Sequence, residues 1–163
     1  GQRTSGGSTI TQQLAKQLYS PPAEDIWDRA LQKPIEWVIA AKLERYYTKE
    51  EIINLYLNKY DFGYLAVGIQ SAAQIYFGKT PQELKKEEAA MLVGMLNNSS
   101  LYNPIKRPER TKERRNIVLE QMCKYGYISR QEADELKKLP LKLNYKPVSH
   151  KVVWLHIFAN TFG

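Results

Sequence analysis

The sequence predicts an all-α fold, and three observations carry that prediction. Helix start signals recur: Thr9 with Gln12, Thr48 with Glu51 and Thr80 with Glu83 each pair a hydroxyl with an amide or acid three residues on. Apolar residues recur at helical spacing between those signals. No segment sustains the alternation of a half-buried strand.

Each element follows from these cues. Residues 8–19 form a first helix that stops before Ser20-Pro21-Pro22, with Ile10, Leu14 and Leu18 as its apolar stripe. A second begins near Asp25 and runs to Tyr47, with Pro34 opening its main part and marking a break. The Thr48–Glu51 box opens a third, to about Leu57. Asn58 to Gly63 is a loop with Asp61 and Gly63 as turn residues. Leu65–Tyr76 is a helix of small residues suited to close packing. Thr80 and Pro81 start one that runs to about Leu96, before a polar loop from Asn97 to Pro104. Pro108–Tyr125 is a long helix closed by Gly126, and Ser129 caps a short one to about Lys138. Residues 139–150, with Pro140 and Pro147, read as an extended linker.

Composition narrows the function classes. At 163 residues with 43% hydrophobic and 11% aromatic content, the chain suits one globular core. Its net charge of +7 favours an acidic partner. The cations are mixed with acids along helices, so nucleic acid is not the expected partner. Cys123 is alone, which excludes an intrachain disulfide and a cysteine metal site; its neighbours Leu119 and Met122 suit a buried helical thiol. His150 and His156 both lie in the tail, so no histidine triad or histidine metal centre fits the body of the domain. No apolar run reaches the roughly 20 residues of a membrane span, and no signal peptide is visible. Chemistry must rest on carboxylate, lysine, amide and hydroxyl groups.

Two segments concentrate such groups. Gly6-Gly7-Ser8-Thr9-Ile10-Thr11-Gln12-Gln13-Leu14-Ala15-Lys16 is a glycine hinge followed by hydroxyls, amides and a lysine on one helix. Gln12 and Gln13 lie four and three residues before Lys16, so they share a face. The helix start adds a positive dipole end, an arrangement that suits a phosphate. The same pattern suits a plain capped surface helix with a solvated lysine. In the second segment, Glu36 sits inside an apolar run, with Lys33 one turn before it. Burial would disfavour its charged form and an ion pair with Lys33 would favour it. Such a carboxylate is a candidate acid, base or charge organiser, or an ordinary first-turn glutamate.

Together these segments resemble the peptidoglycan glycosyltransferase domain of bifunctional class A penicillin-binding proteins and monofunctional transglycosylases. Four of that family's five motifs appear in order. The second is Gly7 to Lys16. The third is Gln32-Lys33-x-x-Glu36 with Ala40 and Leu43-Glu44. The fourth is Lys49-x-x-Ile52-Ile53-Asn54-x-Tyr56-Leu57-Asn58. The fifth is Gly63 to Ala66 with Gly68, Ala72-Ala73 and Tyr76-Phe77-Gly78-Lys79. The likeness continues through Glu88 to Leu92, Tyr102-Asn103-Pro104 and Arg114-Arg115-Asn116, covering roughly residues 4–145. Three departures stand out. Gln32 replaces an arginine, Asn54 replaces a glutamate, and the first motif, Glu-Asp-x-x-Phe-x-x-His-x-Gly, is not in the sequence. That motif carries the glutamate assigned as general base, so the chain is expected to be a fragment. Residues 1–143 are read as an incomplete, lysozyme-like glycosyltransferase domain and 144–163 as linker and tail.

The resemblance implies an inverting hexosyltransferase. It would polymerise lipid II into β-1,4 glycan strands at the extracytoplasmic face of the bacterial cell membrane, with undecaprenyl pyrophosphate released. Glu36 matches the family's second essential glutamate. Ser8, Gln13, Lys16, Arg29 and Lys33 would bind the pyrophosphate, while Asn58 and Lys79 would be structural. No cofactor is obligatory; a divalent cation, magnesium or manganese, at the pyrophosphate is compatible with the chemistry. The implied partners are lipid II, the growing strand, the membrane surface (residues around Pro21 to Trp27 are the candidates to dip into it) and a downstream transpeptidase domain. Two rival readings share these residues: a module that binds lipid-linked pyrophosphate or moenomycin-type inhibitors without turnover, and a lysozyme-type hydrolase.

The tail, residues 151–163, departs from the resemblance. Read from the third base of the Lys151 codon, permitted codons spell Ser-Gly-Leu-Ala-Pro-Tyr-Phe-Arg-Glu-Tyr, close to the family's continuation. The expectation is therefore an out-of-frame tail; the competing reading is a genuine amphipathic helix through Val152, Leu155 and Phe158. Sequencing the DNA around the Lys151 codon decides between them. A stop codon or an unrelated peptide in the alternate frame removes the frameshift.

Overall fold

The computed structural model describes residues 9–19 and 26–145, with the side chains of Tyr19 and of residues 26–31 left out of the description. Ser8 and the tail 151–163 lie outside the described residues, as does Trp27 beyond its backbone. Among the described residues every regular element is helical, apart from one isolated bridge between Asp61 and Val67. The helices are α1 (Ile10–Tyr19), α2 (Ile26–Tyr46), α3 (Lys49–Lys59), α4 (Ile69–Phe77), α5 (Lys86–Met95), α6 (Pro108–Lys124) and α7 (Arg130–Lys138). A 3-10 turn, Pro81–Glu83, precedes α5.

The caps form as the sequence predicts. Thr9 Oγ1 accepts from the Gln12 N–H at 3.2 Å, and Gln12 Oε1 accepts from the Thr9 N–H at 3.1 Å. Thr48 and Glu51 close the same box on α3. Ser129 caps α7 through the Glu132 N–H at 3.0 Å. Gly126, at φ +80°, follows the end of α6 in a conformation that favours glycine.

Several expectations need correction. The buried face of α1 is Thr11, Leu14 and Ala15 with Leu18 half-buried, while Ile10 is exposed. The stripe follows i, i+3, i+4, i+7, and Ile10 falls one position off it. Pro34 neither starts nor breaks α2; it is the ninth residue of an unbroken 21-residue helix. The ring removes the N–H that would bond the Ala30 carbonyl. Pro34 is exposed, so the missing bond falls on the solvent side of the helix.

The helix expected from Leu65 starts instead at Ile69. Residues 60–68 form a compact loop in which Gly63, Tyr64, Leu65 and Gly68 all have positive φ. A Cβ on Gly68 would lie 2.8 Å from the Asn58 carbonyl oxygen, so the loop closes directly on the end of α3. The helix expected over 81–96 is split. Glu83 accepts from the Thr80 N–H, and five residues later Glu88 accepts from the Lys85 N–H at 2.8 Å. The second start leaves Leu84 and Lys85 extended between the two pieces.

Three apolar clusters hold the helices. Leu14, Ile52 and Tyr56 join α1 to α3. Phe62, Ala72, Ala73, Tyr76, Met91 and Met95 form the central cluster. Ala90, Leu119, Ile128 and Ala133 bind α5, α6 and α7, with Cys123 half-buried beside them rather than fully buried. Residues 139–145 are extended, as expected, and dock on the core: Leu141, Leu143 and Tyr145 pack against the central cluster, and the Asn144 N–H donates to the Tyr76 carbonyl at 2.8 Å.

The far end of the fold is tied by charge. Glu120 on α6 accepts from Arg130 and Lys137 at either end of α7, at 2.6–3.0 Å. Those bonds hold its carboxyl at about 2, against an ordinary value of 4.5. A folded-state value below the unfolded one stabilises the fold above the ordinary carboxylate range and is lost as pH falls toward about 2. Glu120→Gln should therefore lower the melting temperature at neutral pH, and the gap to the wild type should close between pH about 4.5 and about 2. A gap independent of pH in scanning calorimetry would show that the clamp does not stabilise the fold.

Candidate active site on α1 and α2

The site is built on two helices packed side by side. Thr9 and Thr11, at the start of α1, border the same groove as Glu44 and Tyr47, at the end of α2, so the two helices run in opposite directions. At about 1.5 Å per residue, Lys16 lies ~10 Å from that shared end and Glu36 ~12 Å. Lys16 and the Lys33–Glu36 region therefore sit at the same level of the helix pair.

Glu36 is buried, 5% exposed, on the face of α2 that also buries Ala40. Lys33 Nζ lies 3.1 Å from Glu36 Oε2, one turn back on the same helix. The two environments that the sequence left as alternatives are both present: the carboxylate is buried, and its partner is an ammonium whose side chain is 56% exposed. The pair thus has a dry carboxylate and a wet cation, and the Lys33 ammonium is open to a second anion.

On α1, Gln13 and Lys16 are exposed, and neither side chain has an ion pair or hydrogen bond among the described residues. Gln12 does not join them, because its amide is committed to the cap. Arg29 falls within α2, seven residues before Glu36, and its side chain is outside the described residues, as is Ser8. The structure thus joins Lys33 to Glu36 directly and sets Lys16 and Gln13 on the neighbouring helix.

Of the residues expected to be structural, Lys79 Nζ pairs with Glu88 at 2.9 Å, and the Asn58 carbonyl lies so close to Gly68 that a Cβ there would approach it to 2.8 Å. Tyr76 donates to the Phe62 carbonyl at 2.5 Å, and burial, helped by Tyr64, Tyr145 and Asp61, pushes its hydroxyl pKa up. It is a locked core phenol. A small cavity of about 170 Å³ beside Arg115, Met91 and Leu141 lies under the docked segment, away from α1 and α2. The sequence reading missed the groove between α1, α2 and α3. The signal was present in Thr11, which keeps the i, i+3, i+4, i+7 register with Leu14, Ala15 and Leu18 and so had to face inward.

Comparison with known proteins shows the family of the chain. The transglycosylase family model matches residues 1–123. Penicillin-binding protein 1A of Escherichia coli (strain K12) is 40% identical over 146 residues, which is 89% of this chain and 17% of that protein. Penicillin-binding protein 1A of Aquifex aeolicus (strain VF5) is 43% identical over 142 residues, 86% of this chain and 19% of that protein. Among solved structures, the crystal structure of penicillin-binding protein 1A from Haemophilus influenzae superposes with a TM-score of 0.57 at 26% identity, covering 98% of this chain and 20% of that one. The chain belongs to the transglycosylase family and has the fold of its glycosyltransferase domain. It spans less than a fifth of the length of these two curated relatives.

Glu36→Gln removes the buried charge and keeps size and hydrogen-bonding capacity. It should leave the helical circular dichroism and the melting temperature within a few degrees of the wild type. A large loss of stability would make the pair a structural feature rather than a functional one.

Proposed function

We propose that this chain is the pyrophosphate-binding part of a peptidoglycan glycosyltransferase, which polymerises lipid II into β-1,4 glycan strands and releases undecaprenyl pyrophosphate. The observation that carries the reading is the buried Glu36 carboxylate against the exposed Lys33 ammonium, at the level of Lys16 on the adjacent helix, in a chain of the transglycosylase family.

The reaction has two electrostatic needs. The 4-hydroxyl of the incoming lipid II must lose a proton as it attacks C1 of the growing strand with inversion. The departing pyrophosphate must be met by positive charge. Lys16 and Lys33 supply the second need as point charges, with Gln13 as a hydrogen-bond donor and Ser8 and Arg29 as further ligands. Glu36 orients Lys33: paired to it, the ammonium is fixed in place before the leaving group arrives. The first need falls to the glutamate of the motif absent from these 163 residues. No cofactor is obligatory in this scheme; a divalent cation, magnesium or manganese, at the pyrophosphate is compatible with it, and no step is routed through such an ion.

The setting follows from the substrate. Lipid II and its product are membrane-anchored, so the site works at the extracytoplasmic membrane surface, and the strand passes to a transpeptidase domain downstream. No described helix is itself long and apolar enough to cross a membrane.

Fluorescent lipid II, read on gels with and without muramidase, tests the reading. A polypeptide of these 163 residues should bind lipid II and not polymerise it, since a general base contributes about 10²–10⁴-fold. In a protein that also carries the upstream motif, polymer should form, and Glu36→Gln should abolish most turnover. Lys16→Ala and Lys33→Ala should each weaken binding about tenfold, as expected for a charge-assisted hydrogen bond worth roughly 1.5–3 kcal/mol. Cleavage of finished glycan by the chain would instead identify a hydrolase, and unchanged affinity in both lysine variants would remove the phosphate assignment.

A further inference from the structure

We propose that the first turns of α6 carry a separate phosphate-binding site, made by Arg114, Arg110 and Arg107 over the ring of Tyr102. It lies on a helix that packs chiefly on α5 and α7, and it does not depend on the function proposed above. Its ligand is a phosphate group, free in solution or on a lipid headgroup.

Charge is dense here. Residues 106–115 hold six Lys and Arg against two Glu, in a chain of net charge +7. Two adjacent arginines of this stretch have opposite surroundings. The buried guanidinium of Arg115 donates to the carbonyls of Lys137, Leu139 and Pro140 and to Asn116 Oδ1. Arg114 has no such acceptor: its Nε is buried without a hydrogen-bond partner, and its side chain forms no ion pair with a described residue. Packing and an aromatic ring hold it instead. A Cβ on Gly94 would lie 3.0 Å from Arg114 Cγ, so the stem lies against α5 where the glycine leaves room. The guanidinium carbon sits 5.6 Å from the centre of the Tyr102 ring. Tyr102 is itself fixed by its loop: its N–H donates to the Asn98 carbonyl, and Asn98 Oδ1 accepts from the Ser100 and Leu101 N–H groups.

A buried N–H with no acceptor costs stability, and a native protein that keeps one has a use for the group. Arg115 closes α7; Arg114 closes nothing. A guanidinium stacked on a ring keeps its outer N–H groups free in a fixed plane, ready to pair bidentately with an oxyanion. Arg110 lies one turn before it on the same face of α6, and Arg107 immediately precedes the helix. Both are exposed, and neither side chain has a partner among the described residues. Side chains on a helix lean toward its start, so Arg110 and Arg114 reach back toward Arg107. The acids of the stretch, Glu109 and Glu113, form no ion pair with a described residue, so the arginines are not neutralised from within. The donors select the ligand class. More than one guanidinium fork needs an acceptor with oxygens on more than one edge. A carboxylate offers two oxygens in one plane, whereas a phosphate offers its oxygens around a tetrahedron.

The test is a titration of the isotopically labelled 163-residue chain, read by NMR at arginine Nε–H and backbone amide resonances. Inorganic phosphate and glycerol 3-phosphate should both shift Arg110, Arg114 and Tyr102. Arg114→Gln should weaken that binding about tenfold. Arg114→Lys, which keeps the charge and loses the fork, should weaken it about fivefold, and it decides the matter if the glutamine variant does not fold. Lys124→Gln, at the other end of α6, should leave it unchanged. Vesicles separate the two sources. Arg114-dependent binding to phosphatidylglycerol vesicles over phosphatidylcholine vesicles assigns the phosphate to a lipid headgroup, and phosphate shifts without vesicle binding assign it to a soluble phosphate. Three results would overturn the site: no shift at Arg114 with either phosphate, an equal loss of binding in Lys124→Gln, which means diffuse attraction, or equal affinity for acetate or a glutamate-rich peptide, which means a carboxylate partner.

Discussion

The candidate site depends on the seating of Leu14. Helix α1 has ten residues, too few to persist alone in water, where isolated helices below roughly 12–15 residues are marginal. Leu14 and Ala15 are fully buried, and Leu14 packs with Ile52 and Tyr56 of α3 and with Leu43 of α2. That contact fixes the rotation of α1 about its axis. With Leu14 inward, Gln13 and Lys16 must face out and Thr11 must face the groove. The outward placing of Gln13 and Lys16 and the inward placing of Thr11 are thus one consequence of a single buried leucine, and the Thr9–Gln12 cap decides where the helix begins.

The opposite end is held by a different device. Arg115 is 1% exposed, and its guanidinium donates to the carbonyls of Leu139 at 2.7 Å, Lys137 at 3.3 Å and Pro140 at 3.4 Å, and to Asn116 Oδ1 at 3.0 Å. Burial lowers its pKa, and Glu87 works against that shift. A buried cation is tolerated here because the end of α7 presents carbonyl oxygens and the negative end of a helix dipole. The guanidinium therefore closes α7 and turns the chain into the extended segment, whose Leu141, Leu143 and Tyr145 then cover the central cluster. Tyr145 also meets the rings of Tyr64 and Tyr76, which ties the exit of the chain to the 60–68 loop.

Local chemistry was legible in the sequence and tertiary chemistry was not. The caps at Thr9, Thr48 and Ser129 and the stop at Gly126 were read correctly because each is settled within four residues. The start of α4 was misplaced because nothing in Leu65 to Gly68 announces that the Asn58 carbonyl will press against Gly68. The unbroken α2 was misread because a proline removes one helix bond without announcing whether packing on the other faces carries the helix through, as it does at the exposed Pro34. In the site, the spacing of Lys33 and Glu36 predicted their contact. The companionship of Lys16 with that pair needed the opposed packing of α1 and α2, which no local pattern encodes.

Charge is spread over the molecule and is not gathered at the site. Residues 79–145 carry fourteen Lys and Arg against nine Asp and Glu, whereas residues 9–47 carry five of each. Most described ion pairs also lie away from α1 and α2: Lys79 with Glu88, Lys86 with Glu132, and Glu120 with Arg130 and Lys137, the last two linking α7 to α5 and α6. Exposed pairs add little stability singly. On α1 and the exposed side of α2, Lys16, Lys42 and Arg45 have no carboxylate partner among the described residues, and Lys33 pairs with the buried Glu36. The attraction this face offers an anion is therefore local. It comes from exposed cations one by one, each acting over roughly 8–10 Å, about a Debye length at physiological salt, and not from the net charge of the molecule.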